Sequence, residues 1–306
     1  MFLKISIITP TYNQGNFIEK SILSVLNQNY PNLEYIIIDG GSTDNTIEIL
    51  KKYSNNISYW ISEPDLGQSD AINKGTKIAT GDIINWLNSD DYLVTNALHY
   101  INSSFKLNKI NVLAGNSKLI SISNSTNTEV LFKTFINSNN ILSTITNTSF
   151  NQPGTFFKRE VFQLLMPVET DFYYNMDLLL WLKYLAVFGL NNIKITDEVL
   201  AEVTQHAEAK TIKGFKHTAF EKNKIYTAFF NALKNKNKFY GMSICSISLN
   251  SLTYLKLKVY YYRYRLFKRN LRNEIIAINN FNILKCIGFT FLLILVWLYH
   301  KIFKLK

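Results

Sequence analysis

The chain has 306 residues, 47% of them hydrophobic, and a net charge of +11. That excludes a disordered polypeptide and leaves room for one large domain with an appendage. Its two cysteines, Cys245 and Cys286, have no CxxC spacing, which excludes a disulfide framework or zinc knuckle and fits a reducing compartment.

In chain order, Ile5-Ser6-Ile7-Ile8 is a short apolar run before Thr9-Pro10. It is too short for a signal peptide and reads as a first strand. Phe17, Ile18, Ile22, Val25 and Leu26 repeat at helical spacing, and Pro31 follows them. Tyr35-Ile36-Ile37-Ile38 is a second strand, ended by Asp39-Gly40-Gly41, and Ser42-Thr43-Asp44 leads into a helix with Ile47, Leu50 and Tyr53. Residues 57–61 form a third strand, 71–79 a helix ended by Gly81, and 83–87 a fourth strand. Strands alternating with helices predict a mostly parallel α/β sheet, and their apolar character predicts that both faces are covered. Residues 117–147, rich in Ser, Asn and Thr, have no clear period and are expected to be a less regular connection. Regular structure resumes near Phe156, with a helix over 176–187.

In such a sheet, ligands bind beyond the carboxyl ends of the strands. Those ends carry Thr9-Pro10-Thr11-Tyr12-Asn13, then Asp39 to Asp44, then Asn88-Ser89-Asp90-Asp91. Each alone reads equally as a turn. The adjacent carboxylates of Asp90 and Asp91 need a counter-charge; a hard divalent cation would supply it, although an Asp at a helix start is also an ordinary cap. There is no G-x-G-x-x-G fingerprint and no P-loop, so neither a dinucleotide cofactor nor P-loop phosphoryl transfer is indicated.

Three segments, TPTYNQGNFIEKSILSVLNQNYPNLEYIIIDGGSTDNT, SEPDLGQSDAINKG and ATGDIINWLNSDDYL, span most of residues 9–93. Together they resemble the family 2 glycosyltransferases of the GT-A fold, especially bacterial members that build surface polysaccharides. The resemblance implies a Rossmann-like sheet and a nucleotide-diphosphate sugar donor, most often a UDP-sugar, with Mg²⁺ or Mn²⁺ as cofactor. It implies Thr9, Thr11 and Tyr12 around the nucleobase and ribose, Asp39 on the base, Asn73 and Lys74 near the nucleotide or its sugar, and Asp90 near the ribose or donor sugar. It places Asp91 on the metal, with His206 reaching the metal or diphosphate and Lys210 facing the diphosphate in the same loop. Asp177, in NMDLLLW, matches the catalytic base of an inverting transfer. Relatives often carry a second acid two residues on, where this chain has Leu179, and a glycine-containing approach where it has Leu164 to Val168. Both departures bear on the acceptor, expected to be a hydroxyl of a glycan or lipid-linked sugar.

Residues 211–306 carry 18 lysines and arginines against two acids, whereas residues 1–210 carry 15 against 20. Such asymmetry calls for an anionic partner. Leu255, Val259, Tyr262 and Leu266 share one helical face, beside a basic face of Lys258, Arg265, Arg269 and Arg272. This pattern suits an anionic membrane surface. Residues 286–299 are largely apolar but fall short of the roughly 20 a spanning helix needs. The expected organisation is a transferase domain over 1–210, with a nucleotide-sugar half (1–100) and an acceptor half (101–210). A helical, membrane-associating region over 211–306 would hold the protein, peripherally or monotopically, at the cytoplasmic face of the inner membrane. No nucleic-acid module is visible. The competing readings are an inactive sugar-nucleotide-binding scaffold and a sugar nucleotidyltransferase; the latter calls for a glycine-rich basic loop after the first strand, which is lacking.

Overall fold

The computed structural model describes residues 1–121, 128–147, 149–206, 209–210, 215–235 and 238–242. A nine-stranded sheet organises them, in the order β3-β2-β1-β4-β8-β6-β9-β5 with β7 paired to β6.

The first half follows the sequence pattern. β1 (Ile5–Thr11), α1 (Ile18–Leu26), β2 (Leu33–Asp39), α2 (Thr46–Tyr53), β3 (Tyr59–Ser62), α3 (Gln68–Ile78) and β4 (Ile83–Trp86) alternate in order. β1 pairs parallel with both β2 and β4, and β2 pairs parallel with β3. The chain therefore winds outward from β1 to β3 and then returns to the other side of β1. That reversal between β1 and β4 opens a crevice at their carboxyl ends.

Burial explains the apolar strands. Alternate residues of β1 and β2 point to opposite faces. Ile8, Ile36 and Ile38 enter one core cluster, and Ile5, Ile7, Tyr35 and Ile37 enter the other. Gly75 of α3 lets the helix close on β1, since a Cβ there would lie 2.5 Å from Ile8 Cγ2.

The second half departs from a parallel sheet. β5 (Asp91–Leu93), α4 (Ala97–Leu107), β6 (Val112–Ser121), β7 (Thr128–Phe132), α5 (Ile141–Asn147), β8 (Thr155–Lys158), α6 (Arg159–Leu165), α7 (Met176–Phe188), β9 (Ile193–Gln205) and α8 (Phe215–Asn235) follow. β4–β8, β6–β8, β6–β7 and β5–β9 pair antiparallel, while β6–β9 is parallel. The sheet is thus mixed, because apolar runs encode strand burial but not direction. The stretch 117–147, expected to be irregular, holds the end of β6, all of β7 and α5. The residues of β7 are all exposed, so no hydrophobic alternation marked that strand.

α8 packs on the main core through Ile225, Phe229, Ala232 and Leu233, at the i, i+4, i+7, i+8 positions of one face. The chain divides into two units, Met1–Tyr254 and Leu255–Lys306. Among the described residues no helix is long and apolar enough to cross a membrane. The basic stretch 254–272 and the apolar stretch 286–299 lie outside the described residues.

Candidate active site

Asp39 ends β2 fully buried, with its carboxylate almost fully engaged. It accepts hydrogen bonds from the Gly41 and Ser42 amides at 3.0 and 2.9 Å, and from the Ser42 and Ser62 hydroxyls at 2.5 and 2.6 Å. Gly41 has φ +83°, a conformation glycine adopts freely, which turns these amides back onto the carboxylate. The loop after β1 joins it: Asn13 donates its amide to Ser42 Oγ at 2.7 Å and accepts the Thr43 amide at 2.8 Å. One hydrogen-bonded network therefore fixes the ends of β1, β2 and β3.

The β1 side holds buried polar atoms without partners. Thr9 Oγ1 lies 3.2 Å from the Tyr35 hydroxyl, but Thr11 Oγ1 and Gln14 Oε1 are buried without a hydrogen-bond partner. Buried polar atoms cost free energy unless paired, so these two are the groups a ligand would satisfy. Tyr12 is 57% exposed at the mouth.

The two carboxylates after β4 separate. Asp91 opens β5 and is buried, accepting Asn88 Nδ2 at 2.8 Å. Burial, and after it the Asp90 charge, push its carboxyl well above the usual aspartate range. Asp90 stays partly open, and its Oδ2 lies 3.2 Å from His206 Nε2. The His206 ring stacks on Phe17 with centroids 4.2 Å apart, and its Nδ1 is buried without a partner. Among the described residues, the fold thus sets His206 against Asp90. Asp91 is registered with Val203 of β9 and buried, whereas Asp90 lies in the turn just before β5 and stays partly open.

A second polar chain ends on Asp91. Lys210 Nζ donates to Gln68 Oε1 at 2.5 Å, Gln68 Nε2 donates to Asn88 Oδ1 at 2.6 Å, and Asn88 donates to Asp91. Gln68 and Asn88 carried no individual role in the sequence, since a neutral amide has no signature without its neighbours. Burial lowers the Lys210 ammonium to about 8, against the opposing pull of Asp90 and Glu221.

Asn73 and Lys74 are placed differently from the rest. The Asn73 carboxamide closes on the Val168 peptide, accepting its N–H and donating to its carbonyl, both at 2.8 Å. Lys74 Nζ pairs with Glu63 at 2.8 Å and with Asp70 at 3.6 Å. Their polar ends are engaged in holding α3 to the 160s loop and to the loop after β3.

Asp177 lies in the first turn of α7, its Oδ1 accepting the Leu178 amide at 2.8 Å. Burial raises its carboxyl above the usual range, opposed by that amide and by Lys222. The approach to it is clamped from α8. Glu221 accepts the Tyr173, Tyr174 and Asn175 amides at 2.8, 2.8 and 3.0 Å, and Asn175 Nδ2 at 3.0 Å. Glu221 stands in the basic segment, where its sequence neighbours give no hint of a partner 46 residues away.

A half-parallel, half-mixed sheet with carboxylates at its switch point, and a further carboxylate in the first turn of α7, has the make-up of a GT-A-type domain. The sequence model of glycosyl transferase family 2 matches residues 6–165, and the chain belongs to that family. Chondroitin synthase from Pasteurella multocida is 40% identical over 107 residues, covering 34% of this chain and 11% of that one. The matches span less than two fifths of the curated relatives' length. In fold, the chain is similar to S. aureus TarS 1–349 in complex with UDP-GlcNAc (TM-score 0.61, 19% identity, 86% of this chain and 72% of that one). It is also similar to the mannosyltransferase PcManGT from Pyrobaculum calidifontis in complex with GDP-Man and Mn²⁺ (TM-score 0.53, 18% identity, 78% and 66%).

Proposed function

We propose that this protein is an inverting, metal-dependent glycosyltransferase that moves a sugar from a nucleotide-diphosphate donor to a hydroxyl of a glycan or lipid-linked acceptor in surface polysaccharide synthesis. The observation that carries this reading is the Asp90–His206 pair after β4, together with the unpartnered oxygens of Thr11, within the end of β1, and Gln14, after it. The nucleoside lies over the ends of β1 and β2, where the network around Asp39 supports it, and UDP is the favoured nucleotide.

The donor set fits a divalent cation. One carboxylate oxygen and one imidazole nitrogen would hold it, with phosphate oxygens and water filling the other positions, as Mg²⁺ and Mn²⁺ sites accept. Among the described residues no cluster of three or more His, Cys, Asp or Glu forms a complete protein cage. When bound, the cation neutralises charge on the departing diphosphate. Lys210 adds a positive charge beside it. Asp177 takes the proton from the acceptor hydroxyl as that oxygen attacks the anomeric carbon from the face opposite the diphosphate. Its raised proton affinity makes it a stronger base than an exposed aspartate. The relation to a chondroitin synthase supports a sugar-chain acceptor, and the basic, aromatic tail supports placement on the cytoplasmic face of the inner membrane, with no role for nucleic acid.

The test is nucleotide diphosphate release from a panel of sugar nucleotides, with Mn²⁺ or Mg²⁺ and then with chelator. One donor should give metal-dependent release. Asp90→Ala should abolish the metal dependence of UDP binding measured by thermal shift, whereas Asp91→Asn should keep it. The reverse result would return the metal to Asp91. A folded protein that binds no donor would support the scaffold reading.

A further inference from the structure

Beside the start of α7, the described residues line an open hollow of about 390 Å³, formed by Asp171, Tyr173, Tyr174, His217, Phe220 and Lys224, with the clamping Glu221 in its wall. Its volume falls in the range of about 300–1,000 Å³ common to small-molecule sites. Two of its aromatic rings are open to solvent in a way core residues are not: Phe220 is 70% exposed and Tyr173 51%. Tyr174 and His217 stack nearly parallel, with centroids 5.9 Å apart and 15° between planes, and Tyr173 stands edge-on to Tyr174 at 4.9 Å. Exposed apolar surface gathered in one place marks an interaction site.

The hollow is tied to the reaction centre on two sides. Its wall, residues 173–174, leads directly into Asn175 and Asp177, and Glu221 pins that wall by its backbone amides. Lys210 Nζ, reaching toward the donor side through Gln68, sits 3.6 Å from the Tyr173 ring centroid.

The lining selects the ligand. Flat aromatic faces carry negative charge and attract the weakly positive C–H bonds on one face of a pyranose ring. The hydroxyls around that ring need donors and acceptors at the rim, which Asp171, Lys224 and the Tyr hydroxyls offer. An isoprenoid tail would leave those charges desolvated without partners. A multiply charged anion would meet the carboxylates of Asp171 and Glu221. We propose that this hollow is an acceptor subsite that stacks one neutral pyranose of the incoming sugar chain on Phe220 and Tyr173 and so presents a hydroxyl to Asp177. The inference rests on the glycosyltransferase reading above and names the acceptor class of that same site.

The experiment is saturation-transfer NMR on the full chain with methyl β-glucopyranoside, methyl β-galactopyranoside and methyl N-acetyl-β-glucosaminide, with UDP as a parallel probe. At least one glycoside should receive saturation at its ring C–H protons from the wild type. Phe220→Ala should remove that signal and Phe220→Trp should retain it, with the UDP signal equal in all three proteins. Phe220 is exposed, so its truncation leaves the core intact, and equal UDP signals verify that. UDP binding without any glycoside contact, or glycoside contact indifferent to Phe220→Ala, overturns the subsite alone. Phe220-dependent contact by citronellyl phosphate, a short isoprenoid, in place of every glycoside also overturns it. Failure of UDP itself to bind the wild type overturns the donor reading and the subsite with it.

Discussion

Asp177 is held where its charge is poorly solvated, and that has two opposite consequences. As a base it gains proton affinity; as a folded-state group it costs stability. Its folded carboxyl is raised above the ordinary 3.8, so the folded state binds more protons than the unfolded one just above that value, and stability falls as pH rises through that window. Asp177→Asn should therefore raise the melting temperature at neutral pH while lowering the transfer rate by about 10²–10⁴-fold, the range for a lost general base. A melting temperature that fell with activity would mean the carboxylate is structural. Lys210 is the mirror case. Its ammonium, lowered to about 8 from 10.5, is disfavoured by burial, so the unfolded chain holds more protons between those values and stability rises with pH across them. A bound diphosphate would restore the charge. The alkaline limb of the free enzyme should accordingly appear near 8 in kcat/KM and move upward in kcat. Lys210→Arg should abolish that limb, as seen in pH–rate profiles.

At the scale of elements, the site depends on α8 as much as on the strands. One carboxylate of that helix satisfies three successive backbone amides, two of them part-buried. Each unsatisfied buried amide costs about 1–3 kcal/mol. Glu221→Ala should lower stability by at least that amount, read from urea unfolding. It should also reduce kcat more than the donor KM, because the loop it fixes leads to Asp177 and not to the nucleotide. By charge, residues 211–306 read as one basic region. Within it, the α8 positions 225, 229, 232 and 233 join the main core. Charge counting grouped these residues by composition, whereas packing grouped them by which face of the helix is apolar.

For the whole molecule, the compact unit Met1–Tyr254 carries every residue assigned to the donor, to Asp177 and to the aromatic hollow. A chain ended at Tyr254 should unfold cooperatively and bind UDP as tightly as the full chain. Removal of residues 255–306 should abolish co-sedimentation with vesicles containing anionic phospholipid. Loss of UDP binding on truncation would show that the site extends into the second unit, and unchanged vesicle binding would detach the membrane role from the basic stretch.

By itself the sequence determined the alternation of strand and helix through β4, because apolar runs closed by Gly, Pro and Asp report local burial and local turns. For the same reason it located polar strand ends at Thr9–Thr11, Asp39 and Asn88–Asp91. The reversed, mixed second half, with β7 and β9, was not legible: strand direction and half-exposed pairing leave no period in one chain. Only the tertiary structure decided which of two adjacent carboxylates meets His206, since the turn that holds Asp90 and the pairing of Asp91 with β9 are set by contacts more than 100 residues away. It also decided that Asn73 closes on Val168 and that Glu221 holds the approach to Asp177. Those contacts join residues 95 and 46 positions apart, and a sequence records the residues at such distances but not their meeting.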